Sequence, residues 1–564
     1  MAVSDWSTTA ASNTSVGGIS IAENMTRANV NDAMRGMMAE LKTYFGGLAD
    51  AVYLDAYGAT YTGDESTIAQ AMLDDIGVLR VPIGRTLTAK NLVLDNGARV
   101  EVAGTLKLPN GCSDNDRLIK ANGKTGLEIY INEIDGNASG QSGALGTHLI
   151  TLVDCIRPKL HVRRAHDHYV NSSATMSDTL TDGRTTSTGA IWLNECTHAT
   201  VLVEHLEGWG REGVWLEDCT DSTAWLLYSL GTGVTEYSSI QVSGARNKLL
   251  TAHSENAGAS GVGFDTTNGV LANVYVKDCR EQHGVNFGHP GKPADGSVAN
   301  NIVVDGAWVG GIRIGSATAD LTITGFSVED AERGLQASDS APDVRFVGGV
   351  VKNSGRWNTL VSATEVVLEG VKSTELDDRT IQLTTVTGQF VAEETITGPS
   401  GTGVVRRVLN NLTGAKQRLY MTSVTGTISA AETVTGDTSG ASGTVEYSEV
   451  PLQYLEQTGG HIVDSARTIV VSSGTYVKHP NGLAEFDYTV SISATATVDA
   501  TGTYSFPSNM PWAAAPTVQA TVATGDATIN ELRASSTTSL LTVTLNAATT
   551  TTYTVAVVAR GRWK

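Results

Sequence analysis

Short apolar runs punctuated by Gly, Asn and Asp fill the middle of this chain, and few are long enough for a helix. A small residue opens a strand at Gly189, Gly213, Ser238, Gly261, Gly284, Gly311 and Gly334, in steps of 24, 25, 23, 23, 27 and 23 residues. The segment Ile191-Trp-Leu-Asn-Glu-Cys196 returns 23 residues later as Val214-Trp-Leu-Glu-Asp-Cys219. A second strand precedes each small residue, as in VLVEH (201–205), WLLYS (225–229) and VYVKD (274–278). A period near 23 with two or three short strands per turn predicts a parallel β-helix. One coil cannot bury its own apolar face, so only the stack is stable. Strand alternation sends Val214 and Leu216 inward and Trp215 and Glu217 outward.

Other segments carry other patterns. Met25, Val30, Met34, Met37, Met38 and Leu41 recur at three- and four-residue spacing, which predicts a helix over 22–45 that stops at Gly46-Gly47. A short helix is expected around Ser66–Leu73, followed over 77–109 by brief strands between Gly, Pro and Asn-Gly turns. Thr385-Val-Thr-Gly388 and Glu394-Thr-Ile-Thr-Gly398 recur 38 residues on, as Ser423-Val-Thr-Gly426 and Glu432-Thr-Val-Thr-Gly436. Residues 385–450 therefore read as two small β units. Residues 451–484 look coil-like, and 485–564 alternate strictly enough for an antiparallel β-sandwich. The expected divisions are 1–50 with the helix, 51–112 capping the coil, 113–384 as the main β-helix, 385–450, 451–484 and 485–564.

Composition narrows the partners. The 564 residues include 59 acidic and 39 basic ones, a formal charge of −20, which argues against a nucleic-acid backbone or an anionic membrane as the main partner. No apolar run reaches a membrane span. The five Cys (112, 155, 196, 219, 279) form no disulfide framework, and Met1–Trp6 lacks a basic-then-apolar signal. Synthesis in a reducing cytoplasm and release by lysis are expected. No G-x-G-x-x-G lies between a strand and a long helix, and no G-x-S-x-G elbow appears. No cofactor and no metal are expected.

The chain resembles the tailspike proteins of tailed bacteriophages. Residues 16–42 (VGGISIAENMTRANVNDAMRGMMAELK) are similar to the virion-attachment segment of tail fibres and spikes. Tyr53–Ala59, the helix after it and GVLRVPIG (77–84) resemble the start of a pectate-lyase-like right-handed β-helix, although Asp55-Ala-Tyr-Gly-Ala59 carries one residue more than that motif. Ala559-Arg-Gly-Arg-Trp563 is similar to the last strand of tail-fibre tips. The resemblance implies a homotrimer on the phage tail, joined to tail or baseplate proteins through its N-terminus. Outside the host cell it would bind, and usually cut, a surface polysaccharide: capsule, exopolysaccharide or O-antigen.

On that footing the outward column matters most. It reads Trp192 and Asn194, Trp215 and Glu217, Gln241 and Ser243, Gly263 and Asp265, then Asn286, Arg313 and Gln336. Hydrolysis of a glycoside needs one carboxyl as acid and a second as base or nucleophile. Glu217 and Asp265 sit two rungs apart, about 9.6 Å, which leaves room for an inverting water. Glu212 precedes the same strand and joins the catalytic candidates. Trp192 and Trp215, read as two exposed rings on adjacent rungs, are candidate sugar platforms or subunit contacts. Trp209, Arg211, Tyr228, Glu236 and His253 lie among the same acidic coils and complete the expected substrate-binding set. Two alternatives remain open. One is a lyase on a uronate polymer, served by Arg163, His166 and His168; the other is an adhesin that binds without cutting.

Overall fold

The alternation read along the repeat becomes burial. A computed structural model describes residues 15–16, 19–20 and most of 53–449, with strand backbones between 455 and 562. Within 53–449 it leaves out 113–115, 142–147, 169–177, 180–184, 187–188, 211, 232–237, 290, 316–317, 338–342, 354–356, 362–364, 375–378 and 412–414. The helix expected over 22–45 and the candidates Arg211 and Glu236 lie outside the described residues.

Between Val78 and Thr374 the strands, apart from the small antiparallel pair Asp178–Thr179 and Thr185–Thr186, pair in parallel with their counterparts one coil away, so this part of the chain is a parallel β-helix. One sheet carries the repeat that opens on small residues. Its central strands are β1 (Gly189–Asn194), β2 (Glu212–Thr220), β3 (Ile240–Ala245), β4 (Val262–Thr267) and β5 (His283–Phe287). The register aligns Trp192 with Trp215, Trp215 with Gln241, Gln241 with Gly263, and Gly263 with Asn286, as the column requires. Inward residues stack into one continuous apolar core, where Phe264 and Phe287 meet edge to face at 6.1 Å. All five Cys are buried.

The coil needs a cap, because its first rung would otherwise expose that core. The helix Ser66–Ile76 buries Ala69, Met72 and Leu73 against it. The helix ends at Gly77, whose φ of +67° is the left-handed turn that a β-branched residue would resist. Corners between sheets turn the same way at short polar residues, among them Asp218, Asn268 and Asp320.

The two units expected over 385–450 are halves of one closed barrel. Its strands are β6 (Arg379–Thr387), β7 (Thr395–Thr397), β8 (Gly401–Asn410), β9 (Gln417–Gly426), β10 (Thr433–Gly436) and β11 (Ser442–Glu449). Ile381 pairs with Leu419, and Thr397 with Thr435; each pair is a residue and its own repeat 38 positions on. Neither half could satisfy its edges alone, and pairing the copies about this pseudo-dyad removes them. The barrel has its own core around Ile381, Leu419 and Met421.

The barrel interrupts the coil rather than following it. Beyond it, Leu455–Gln457 pairs in parallel with Trp357–Val361, and His461–Asp464 with Glu365–Glu369. Toward the C-terminus the pairing becomes antiparallel. Leu483–Ala494, Thr551–Arg562 and Thr517–Thr524 share one sheet, and Ala500–Ser505, Leu540–Ala547 and Ile529–Ser536 share another. Arginines fix the barrel to the coil. Arg407 reaches Asp278 at 2.6 Å, Asp330 at 2.9 Å and the Asp305 carboxylate. Arg418, fully buried, donates to the Trp308 carbonyl at 2.7 Å and lies 4.6 Å over the Trp308 ring.

Candidate functional site

The outward side of β2 and β4 gathers the unusual chemistry. Glu217 accepts from the Trp192 indole N–H at 3.2 Å, from Asn194 Nδ2 at 3.4 Å and from Lys292 Nζ at 3.3 Å. Lys292 comes from a tight turn closed by pairing between His289 and Lys292, and the same ammonium reaches Asp218. Asp218 is available because β2 bulges between Leu216 and Cys219 against β3. Ser243 Oγ accepts the freed Asp218 N–H at 2.9 Å.

Asp265 lies on β4, opposite Ser243. Only 2% of its surface is exposed. One carboxylate oxygen takes Gln241 Nε2 at 3.0 Å; the other, also buried, has no hydrogen-bond partner among the described residues. Burial pushes its carboxyl up to about 7, against the pull of Gln241 and of the nearby Lys292 and Arg313 charges. Glu217 is also raised by burial, but Lys292 and the Trp192 N–H hold it back. Burial opposes the Lys292 charge, yet Asp218 and Glu217 outweigh it and the net shift is upward. The result is a carboxyl that holds its proton up to about pH 7, on the same face as a second carboxyl group, Glu217, that is surrounded by donors. Such separated pairs divide acid and base roles.

Several expected members stand elsewhere. Trp192 points away from the coil axis but is fully buried, against His148 at 5.9 Å and Trp215 at 6.2 Å. It is a support for Glu217 rather than an exposed platform. Trp215 stays partly exposed, and its indole N–H has no acceptor among the described residues. Glu212 is buried and accepts the Ser238 N–H at 3.1 Å. Trp209 belongs to the apolar core.

Tyr228 and His253 meet each other at 5.0 Å on strands of a different sheet. There they continue a ladder of rings from His205 to Tyr275. The lyase candidates separate too. His168 Nδ1 accepts the Gly210 N–H, while His166 sits with Asp135 and Asp167 in a group close enough to hold an ion. Asp135 is already engaged by Lys107 at 2.6 Å and by the Asn137 N–H at 2.7 Å.

Lys292 was not among the sequence candidates. The signal for it was the one long step of the repeat, 27 residues from Gly284 to Gly311, which makes room for its turn.

No protein-family model and no curated protein matches the chain. Solved structures similar to it include the A-module of the Azotobacter vinelandii mannuronan C-5 epimerase AlgE4. That likeness has 13% identity, covers 57% of this chain and 95% of the other, and has a TM-score of 0.37. A mutant tailspike of E. coli bacteriophage HK620, solved with a hexasaccharide, is 9% identical over 89% of this chain and 90% of its own, at a TM-score of 0.37. These likenesses are too loose to carry a residue role or an activity over to this chain.

Proposed function

We propose that this protein binds a bacterial surface polysaccharide along the outer face of its coil and hydrolyses it within the chain, with Asp265 as general acid and Glu217 as base. The observation that supports this most is the pairing of a buried Asp265, whose carboxyl is pushed up to about 7, with a Glu217 surrounded by donors two rungs away on the outward side of one sheet. Lys292 favours the charged form of Glu217 against the effect of burial. Trp215, Gln241, Asn286 and Arg313, along the same column, offer a ring face, carboxamides and a cation to the sugars. The N- and C-terminal resemblances support the wider setting, a homotrimeric spike on a phage tail that acts at the host surface.

A second reading, an adhesin that holds the glycan without cutting it, is favoured by the burial of Asp265, which leaves little surface for a leaving oxygen. One experiment separates the two. The protein is incubated with polysaccharides from a panel of bacteria, and products are weighed by mass spectrometry. Fragments heavier than the summed residues by one water support hydrolysis. Fragments with an unsaturated uronate mean a lyase. No fragments from a glycan that binds mean an adhesin.

A further inference from the structure

The first coils carry a cavity, on a different sheet from Glu217. About 420 Å³ in volume, it lies between Tyr53 and Tyr130, rings that are 41% and 38% exposed. Two large aromatics left open beside a recess are unusual as ornament, because burying either ring elsewhere would be favourable. The walls are held in place. Tyr130 aligns with His161 on the next rung, and the two rings stand nearly perpendicular, 6.4 Å apart. His161 is tied to Glu204 at 2.7 Å.

Charge gives the recess a direction. Its lining has two guanidiniums, Arg80 and Arg163, against one carboxylate, Glu101, in a chain whose formal charge is −20. Arg80 is spent on Glu101 at 2.6 Å. Arg163 is not. It donates to the Asn132 carboxamide oxygen at 3.2 Å, stands 4.0 Å from Glu204, and leaves 70% of its side chain exposed. A guanidinium presents a planar fork that fits a carboxylate.

We infer that this recess is a glycan subsite for an acidic sugar, with Tyr130 and Tyr53 offering ring faces and Arg163 binding a uronate carboxylate. It goes beyond the proposed cleavage site and does not depend on it, because no residue is shared.

The test is calorimetric titration of the full-length protein with oligogalacturonate trimer and, as a neutral counterpart, maltotriose. Saturable binding of the uronate, at least tenfold tighter than the neutral sugar, is expected. Tyr130→Ala should weaken it about tenfold. Arg163→Met should erase the preference between the two sugars, while Arg163→Lys restores part of it. Trp215→Ala, which should weaken sugar binding on the other face, serves as the control and should leave this binding unchanged. The inference is overturned if neither sugar binds, if both bind equally, or if Arg163→Met has no effect. Loss of binding in Trp215→Ala alone would place the sugar on the other sheet and overturn it too. A lower oligomeric state of Tyr130→Ala in sedimentation would make the tyrosines a subunit contact, with the same consequence.

Discussion

Replacing Asp265 by Asn tests the electrostatics of the site without any substrate. The variant keeps the shape of the side chain and removes its proton equilibrium. In the native protein the carboxyl is pushed up to about 7, against about 3.9 in an unfolded chain. Between those two values the folded state holds a proton that the unfolded state has lost. Stability is therefore full below about pH 4, declines as pH rises, and levels off above about pH 7. A gap of roughly three pH units corresponds to about 4 kcal/mol, to order of magnitude. Asn has no such decline, so Asp265→Asn should gain on the native protein by up to that amount between pH 4 and 8.5. Spread over a cooperative unit of roughly 300 residues, 4 kcal/mol is about 6 °C in Tm. Scanning calorimetry of both proteins at pH 4 and pH 8.5, at one scan rate, measures it. A Tm difference that stays constant with pH, or grows toward acid, refutes the claim that Asp265 is protonated because it is dry.

The same pair predicts the activity profile. If Asp265 is the acid, cleavage should fall as pH rises past about 7, and a rate still climbing at pH 8.5 would remove Asp265 from that role. Glu217→Gln should abolish product formation in mass spectrometry while glycan binding persists; full activity would reject the assignment. Trp215→Ala should weaken oligosaccharide binding without altering sedimentation, whereas a changed oligomeric state would assign the ring to a subunit contact. Arg407→Ala removes the partner of Asp278 and Asp305 and half the partners of the buried Asp330. It should cost about 3–5 kcal/mol of docking, seen as a second, earlier step in calorimetry while the barrel core survives. A single unchanged transition would show that the clamp contributes little.

Much of the architecture was legible because a repeat forces register. Once Ile191–Cys196 and Val214–Cys219 are superposed, Trp192 must neighbour Trp215, and the strand pairing has that alignment. Burial was less legible. Alternation says which side of a strand a residue takes, not what lies on top of it. Trp192 is outward by parity and still fully covered. Tyr228 and His253 fell among the right acids in sequence, but each coil visits several sheets, and nearness along the chain does not choose between them. Lys292 escaped because its partner Glu217 is 75 residues away and a lone Lys in a turn has no local pattern. The barrel was half-read. The 38-residue repeat was visible, but whether two copies stand apart or close on each other depends on edge pairing that neither copy encodes alone.

The position of that barrel constrains the order of assembly. Trp357–Val361 must find Leu455–Gln457 across nearly a hundred residues, a long-range closure that local zipping of the earlier rungs does not need. Thr380 pairs with Glu449, so a folded barrel brings its two ends side by side and shortens that search to a short tether. The coil would then grow from its capped end, wait at the rung of Trp357, and resume once the barrel has closed. On that order the barrel would be a checkpoint in biogenesis, and lesions in its core would surface as chains whose first coils are formed and whose last ones are not.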